Sequence, residues 1–118
     1  MDSWDGIYSA YMSGTEGQGF AMFIFYRGVL AGSDPLGVTF DGTYEEADSG
    51  TAKGVVRVSV PPGGTVIQGA TAGPAGLTYE VTIELRQTEV GEGFIQIQTP
   101  LGPVNLRLEK LRSLESLP

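Results

Sequence analysis

The chain contains neither cysteine nor histidine. Without cysteine it can form no disulfide, thiolate nucleophile or iron–sulfur cluster, so its stability must come from packing. Without histidine it lacks the most common general base, the usual imidazole ligand of metals and every Ser-His catalytic triad. We therefore expect a protein that is not an enzyme and that has no catalytic residue, metal site or cofactor.

Basic residues and long apolar runs are also scarce. Seven Lys and Arg stand against fourteen Asp and Glu, and the resulting pI near 4.3 indicates a surface that repels nucleic acid and anionic lipid. The longest apolar run, Phe20 to Tyr26, is far shorter than the roughly 20 residues of a membrane helix. The N-terminus also lacks the features of a signal peptide. We expect a cytoplasmic protein that contacts neither nucleic acid nor membrane directly.

Glycine and β-branched residues are abundant. The 118 residues include 18 Gly and 7 Pro, and many Val, Ile and Thr with few helix-forming runs are typical of short strands joined by turns. The length suits one domain around one core. We predict a single all-β domain over residues 1–118, with a tail at about 110–118. Leucines recur every third residue from Leu108 to Leu117, so this tail is either a helical turn packed on the domain or a frayed end.

Alternation of apolar and polar residues predicts the strands. The pattern is clearest over residues 36–44 and 77–86, where every second residue is apolar. Counting all candidates gives seven or eight strands with short links, which predicts an antiparallel, up-and-down β-barrel, because closure removes exposed sheet edges. A two-sheet sandwich is the alternative.

The glycine-rich stretch at 65–76 is predicted to be a flexible loop, with a short strand at 65–68 as an option. The candidate strands cover residues 5–12, 20–25, 29–32, 36–44, 52–60, 77–86, 94–99 and 104–108.

The strand from Phe20 to Phe25 is apolar on both of its faces. Phe20 and Met22 fall on one face, and Phe23 and Phe25 fall on the other. Such a strand needs cover on two sides. The cover can be a barrel core with a second layer outside, a core with a neighbouring subunit, or an apolar ligand in a barrel cavity. Of these we favour the subunit, in a homodimer.

Negative charge is concentrated where the strand over residues 36–44 ends. Between Arg27 and Lys53 the chain carries five acidic residues and no basic one. Because the spacing differs from the D-x-D-x-D-G pattern of a calcium loop, the acids form either a solubilising tip or a surface that steers a basic partner. In the second case a neighbouring aromatic would add apolar contact. The candidate partner-binding residues are Asp41, Tyr44, Glu45, Glu46 and Asp48.

Three pieces of the first half of the chain resemble, in order, the small GrlR-type negative regulators of type III secretion. They are DGIYSAYMSG at 5–14, GQGFAMFIFYRGVLAGSD at 17–34 and FDGTYEE at 40–46. The second half agrees with that family only in the rhythm of its strands.

The resemblance implies a lipocalin-like, or calycin, β-barrel that forms a homodimer. It also implies that the protein acts by binding a transcription activator of the GrlA type and keeping it from its promoter. An exposed acidic motif is implicated in partner binding in that family, and the residues that resemble it here are Glu45, Glu46 and Asp48. Ala47 interrupts what would otherwise be a run of four acids.

Two functions of different classes follow from these observations. The first is a non-enzymatic regulator that sequesters a basic activator through the acidic tip. The second is a carrier of a small apolar ligand or lipid, which a lipocalin-like barrel permits and which the two-faced strand at 20–25 also suggests.

Overall fold

A computed structural model describes residues 3–47 and 50–115 of the chain. Eight antiparallel strands form one sheet in the order β6-β5-β4-β3-β2-β1-β8-β7, and the sheet curls into a nearly closed barrel. The predicted all-β, lipocalin-like barrel is therefore confirmed. The strands are β1 (Gly6–Gly14), β2 (Gly17–Tyr26), β3 (Val29–Ser33), β4 (Thr39–Ala47), β5 (Thr51–Val60), β6 (Leu77–Arg86), β7 (Ile95–Ile97) and β8 (Val104–Ser113).

The chain order explains how the barrel closes. Strands β1 to β6 pair with their neighbours in sequence as a meander, and a short 3-10 helix at Gln87–Glu89 follows β6. Strand β8 then pairs with β1 over most of its length, from Ser13 opposite Asn105 to Gly6 opposite Ser113. This pairing joins the last strand to the first, and β7 extends the sheet beyond β8, so that β6 and β7 are the two edge strands.

Side chains alternate between the inside and the outside of the barrel, as the pleat of a strand requires. In β2 the residues Ala21, Phe23 and Phe25 are buried, and the residues between them are exposed. Strand β6 repeats the pattern. The inward residues of the strands form one hydrophobic cluster, whose largest fully buried members are Trp4, Tyr8, Phe25 and Leu108.

Antiparallel order places alternate connections at opposite ends of the barrel. The connections after β1, β3, β5 and β7 meet at one end, which we call the mouth. The connections after β2, β4 and β6 meet at the other end, which we call the floor. The first described residues and the end of β8 also lie at the floor, because β1 begins there and β8 finishes there.

The floor is closed by the buried indole of Trp4. Its Nε1 donates to the backbone oxygen of Gly50 at 2.9 Å, and its own backbone oxygen accepts from the hydroxyl of Tyr8 at 2.8 Å. The indole ring also packs on Phe25, with ring centroids 5.3 Å apart. A large aromatic ring held at several points seals this end of the barrel.

The mouth is covered by the long connection between β5 and β6, residues 61–76. Val66 and Ala72 of this connection are buried in the core. The backbone N–H of Glu16, in the turn after β1, donates to the backbone oxygen of Ile67 at 3.0 Å. The predicted loop is confirmed here, but it is pinned across the mouth. The optional strand at 65–68 is reduced to an isolated bridge between Thr65 and Thr71.

The C-terminal tail begins later than predicted. Residues 110–113 continue β8 along β1, and the backbone N–H of the buried Leu114 donates to the oxygen of Asp5 at 3.1 Å. For residues 110–113 both expected alternatives, a helical turn and a frayed end, are wrong, because the backbone of β1 offers these residues a hydrogen-bonding partner. Leu117 lies outside the described residues.

Candidate functional site

The barrel encloses an apolar cavity of about 380 Å³. This volume lies in the range of roughly 300–1,000 Å³ that is typical of small-molecule sites. Inward residues of most strands form its wall, so the cavity is a property of the whole barrel. Its apolar lining includes Phe23, Phe25, Leu30, Phe40, Val56, Val58, Val81, Ile83, Leu85, Ile97, Val104, Leu106 and Leu108.

The cavity is long along the strands. On β6 it is lined by four successive inward residues, from Tyr79 near the mouth to Leu85 near the floor. At about 3.3 Å per residue, these positions span about 20 Å. Phe25 lines the end near the floor and packs against Trp4, so the cavity opens towards the mouth and is blocked below.

Three polar side chains meet at the mouth of the cavity. The Nε2 of Gln68, in the 61–76 connection, lies 3.2 Å from the hydroxyl of Tyr79 and 3.2 Å from Oγ1 of Thr99. The Thr99 hydroxyl in turn donates to the oxygen of Gly102 at 2.6 Å. Burial raises the pKa of Tyr79, and the hydrogen bond from Gln68 opposes that shift. The phenol therefore keeps its proton at neutral pH.

One charged side chain lines the rim of the cavity. Oδ1 of Asp34 accepts from the backbone N–H groups of Leu36 at 2.9 Å and Val38 at 3.0 Å, which holds the connection between β3 and β4 in place. No Lys or Arg is among the lining residues that belong to 3–47 and 50–115. The cavity therefore has an acidic rim and no basic group.

The two faces of β2 have separate environments. Phe23 and Phe25, predicted to face a subunit or a ligand, point inward and line the cavity. Met22 points outward and is exposed, whereas the exposed ring of Phe20 packs at a tilt against Tyr11 and reaches the rim of the cavity. The core covers one face of the strand, and the other face remains open in the single chain.

The open face of β2 belongs to a larger apolar surface on the outside of the barrel. The register places Tyr11 of β1 opposite Phe20, and Val29 of β3 opposite Tyr26. We call the exposed side chains at this place the outer apolar face: Tyr11, Phe20, Met22, Ile24 and Val29.

Two of the acidic residues predicted to form a tip, Glu45 and Glu46, are both exposed near the end of β4. Strand β4 continues to Ala47, so Glu45 and Glu46 point to opposite faces. Glu45 lies opposite Lys53 of β5, and Oε1 of Glu46, which is exposed like Glu45, accepts from the backbone N–H of Trp4 at 2.6 Å. Both lie at the floor end of β4. Asp48 lies outside the described residues.

Asp41 and Tyr44 lie on opposite faces of β4, as the alternation over residues 36–44 predicts. Asp41 lies on the outer face, four residues nearer the mouth than Glu45 and opposite Arg57. Tyr44 is only 6% exposed, and its hydroxyl donates to Oδ1 of Asp5 at 3.2 Å. Burial is the main reason why the pKa of Tyr44 rises to about 12. The prediction that Tyr44 contacts a partner is wrong, because its position on β4 points the ring into the core.

Sequence reasoning missed the polar group at the mouth. Tyr79 was recognisable as the one hydroxyl-bearing side chain on the inward face of a strand that otherwise carries Leu, Val and Ile. Gln68 and Thr99 lie in connections without a repeating pattern, so nothing in their spacing shows that they meet Tyr79.

Comparison with known proteins and a search for other kinds of site add little to this description. No protein-family model matches the chain, and no curated protein matches it. Over residues 3–47 and 50–115, no group of three or more acidic side chains is placed to hold a metal ion. The same part of the chain contains no helix of the length and hydropathy needed to cross a membrane.

Proposed function

We propose that this protein is a non-enzymatic binding protein for a small apolar ligand, which it holds inside the barrel. The observation that carries the proposal is the apolar cavity of about 380 Å³. Side chains normally fill the interior of a small barrel. An empty apolar cavity is destabilising, because the atoms of its wall lose packing contacts. A ligand that fills the space restores those contacts and gains the free energy of burying its own apolar surface.

The closure of the barrel supports this proposal. Trp4 and Phe25 seal the floor, and the connection at 61–76 lies over the mouth, with its own Val66 buried in the core. A ligand inside would therefore contact apolar side chains along the wall and be separated from water at the floor. The cavity wall offers little for acid–base chemistry, since its titratable side chains among the described residues are Asp34 and Tyr79.

Filling the cavity should abolish ligand binding. Val56 lines the cavity and is 6% exposed, whereas its neighbour Val55 points outward and is 44% exposed. We predict that Val56→Phe weakens binding of the neutral apolar dye N-phenyl-1-naphthylamine by at least about ten-fold, because the added ring occupies the ligand's space. Fluorescence titration measures this affinity.

Val55→Phe is the matched control, since it adds the same ring on the same strand but outside the barrel. It should bind the dye like the wild type, and circular dichroism should show that both variants remain folded. Equal dye affinity in the two variants, or no dye binding by the wild type, would contradict the proposed function.

A second proposal is a regulatory role, which uses the opposite end of the barrel. The observation that favours it is the exposed carboxylate of Glu45 at the floor end, within a stretch of chain that is acidic between Arg27 and Lys53. The resemblance to GrlR-type negative regulators of type III secretion supports a basic transcription activator of the GrlA type as the partner. Such a regulator would act in the cytoplasm without touching DNA. It could still hold a ligand, since the cavity opens at the mouth.

Removing the Glu45 charge should weaken binding of such an activator only moderately. Exposed ion pairs contribute about 0.2–1 kcal/mol, and Lys53 opposite Glu45 already offsets part of its charge. We predict that Glu45→Ala lowers affinity for a purified basic activator from the same cell about two- to five-fold at low salt, and less at high salt. Surface plasmon resonance measures the affinity at low salt and at high salt.

Glu16→Ala removes one charge at the mouth end and serves as the control, because Glu16 is exposed and far along the barrel from Glu45. Its affinity should equal that of the wild type. If Glu45→Ala binds as tightly as Glu16→Ala, the floor end is not the surface that engages the activator.

We further propose that the protein is a homodimer that buries the outer apolar face. Five large apolar side chains exposed on three adjacent strands form a contiguous patch of the kind that marks interaction sites. A second copy presents the same apolar patch, and a two-fold arrangement of sheets would cover both at once.

A charge placed in the outer apolar face should separate the subunits. We predict that Ile24→Glu sediments as a monomer in analytical ultracentrifugation, because dimerisation would bury an unpaired carboxylate. Thr82→Glu, which adds the same charge on the exposed face of β6, should leave the dimer intact. A monomeric wild type, or a dimeric Ile24→Glu variant, would rule out this interface.

A further inference from the structure

We propose that the cavity takes an elongated, uncharged amphiphile: one alkyl or acyl chain that ends in a neutral hydrogen-bond acceptor such as an alcohol, ester or amide. The chain would lie along β6 towards the floor, and the head group would bind beside Tyr79 at the mouth. This inference rests on the ligand-binding function proposed above and adds the chemical class and the orientation of the ligand.

The shape of the cavity argues for a single chain. Its wall follows β6 from Tyr79 to Leu85, about 20 Å at the usual rise of a strand, yet its volume is only about 380 Å³. A single flexible alkyl chain can extend along the whole of such an elongated space.

The distribution of polar groups gives the ligand a direction. The deeper wall is formed by side chains such as Phe25, Leu85 and Leu108, which offer no hydrogen bond. The polar side chains Gln68, Tyr79 and Thr99 lie together at the mouth. A polar head group buried near the floor would lose its hydrogen bonds with water without replacement. The same group at the mouth would find partners.

The hydrogen bonds at the mouth leave a donor for the ligand. Gln68 donates to both Tyr79 and Thr99, and the Thr99 proton is directed to the oxygen of Gly102. Among the described residues the Tyr79 hydroxyl accepts a hydrogen bond, and none of them accepts the Tyr79 proton. Since burial raises the pKa of Tyr79, this proton stays in place and can be donated to an acceptor on the ligand.

The charges around the cavity disfavour an ionised head group. No Lys or Arg lines the described wall, and Asp34 places a carboxylate at the rim. A fatty-acid anion would therefore be desolvated without a counter-charge and repelled by Asp34. A cationic amine would be drawn to Asp34, but it offers no acceptor to the Tyr79 proton. A neutral head group with an acceptor oxygen can accept the Tyr79 proton in a hydrogen bond, and it buries no charge beside Asp34.

Displacement of bound N-phenyl-1-naphthylamine by three molecules with the same ten-carbon chain tests the head-group preference. Decan-1-ol should displace the dye at about ten-fold lower concentration than decanoate or decylamine at neutral pH, because only the alcohol avoids burying a charge. Tyr79→Phe should weaken decan-1-ol about five-fold, the effect of one lost hydrogen bond, with the affinity for the dye unchanged. Tyr26→Phe removes a hydroxyl at the floor end of β2, outside the cavity wall, and should change neither the affinity for decan-1-ol nor the affinity for the dye.

The possible failures are distinguishable. If the dye binds and Val56→Phe prevents it, but decanoate or decylamine competes as well as decan-1-ol, the head-group assignment is overturned and the cavity function stands. The assignment is also overturned if Tyr79→Phe leaves decan-1-ol unaffected, or weakens the dye as much as the alcohol. If the dye does not bind the wild type, the function proposed for the cavity fails together with this inference.

Discussion

The pairing of β8 with β1 is the interaction on which the rest of the structure depends. It runs from Ser13 opposite Asn105 to Gly6 opposite Ser113, adds β8 and β7 to the six-stranded meander, and leaves β6 and β7 as the edges of the nearly closed barrel. In the curled sheet, alternate residues of each strand have different surroundings, because one set faces the interior of the barrel and the other faces solvent. The cavity, its apolar wall and the exposed face of β2 all follow from that geometry.

Closure also separates the two ends of the molecule, and the ends differ in chemistry. The floor is packed with aromatic rings around Trp4, whose backbone N–H binds Glu46, and the exposed Glu45 lies beside it. The mouth carries uncharged hydrogen-bonding groups around Tyr79, the carboxylate of Asp34 at the rim and a covering connection at 61–76. Ligand binding at one end and partner binding at the other would therefore use different residues, so the two proposed functions are compatible in one protein.

The sequence predicted those features of the fold that a period of two encodes. The alternation of apolar and polar residues located the strands. The strand Phe20–Phe25 is apolar on both faces, which indicated that each face is covered by a different partner. The strand was expected to end at Tyr44, but it continues to Ala47 because it pairs with β5. Alternation extended over these added residues places Glu45 and Glu46 on opposite faces. The end of β8 was missed because its partner is β1, far away in sequence. The meeting of Gln68 with Tyr79 depends on how an irregular connection folds across the mouth, which no local pattern encodes.

The central claim is that the barrel holds an apolar ligand, and native mass spectrometry of protein purified gently from its own cells tests it most directly. The account predicts a species heavier than the bare chain by the mass of one small molecule. That molecule should be released into organic solvent and identified as uncharged and single-chained. The bare mass alone, together with a crystal structure whose interior is filled by side chains, would contradict the account.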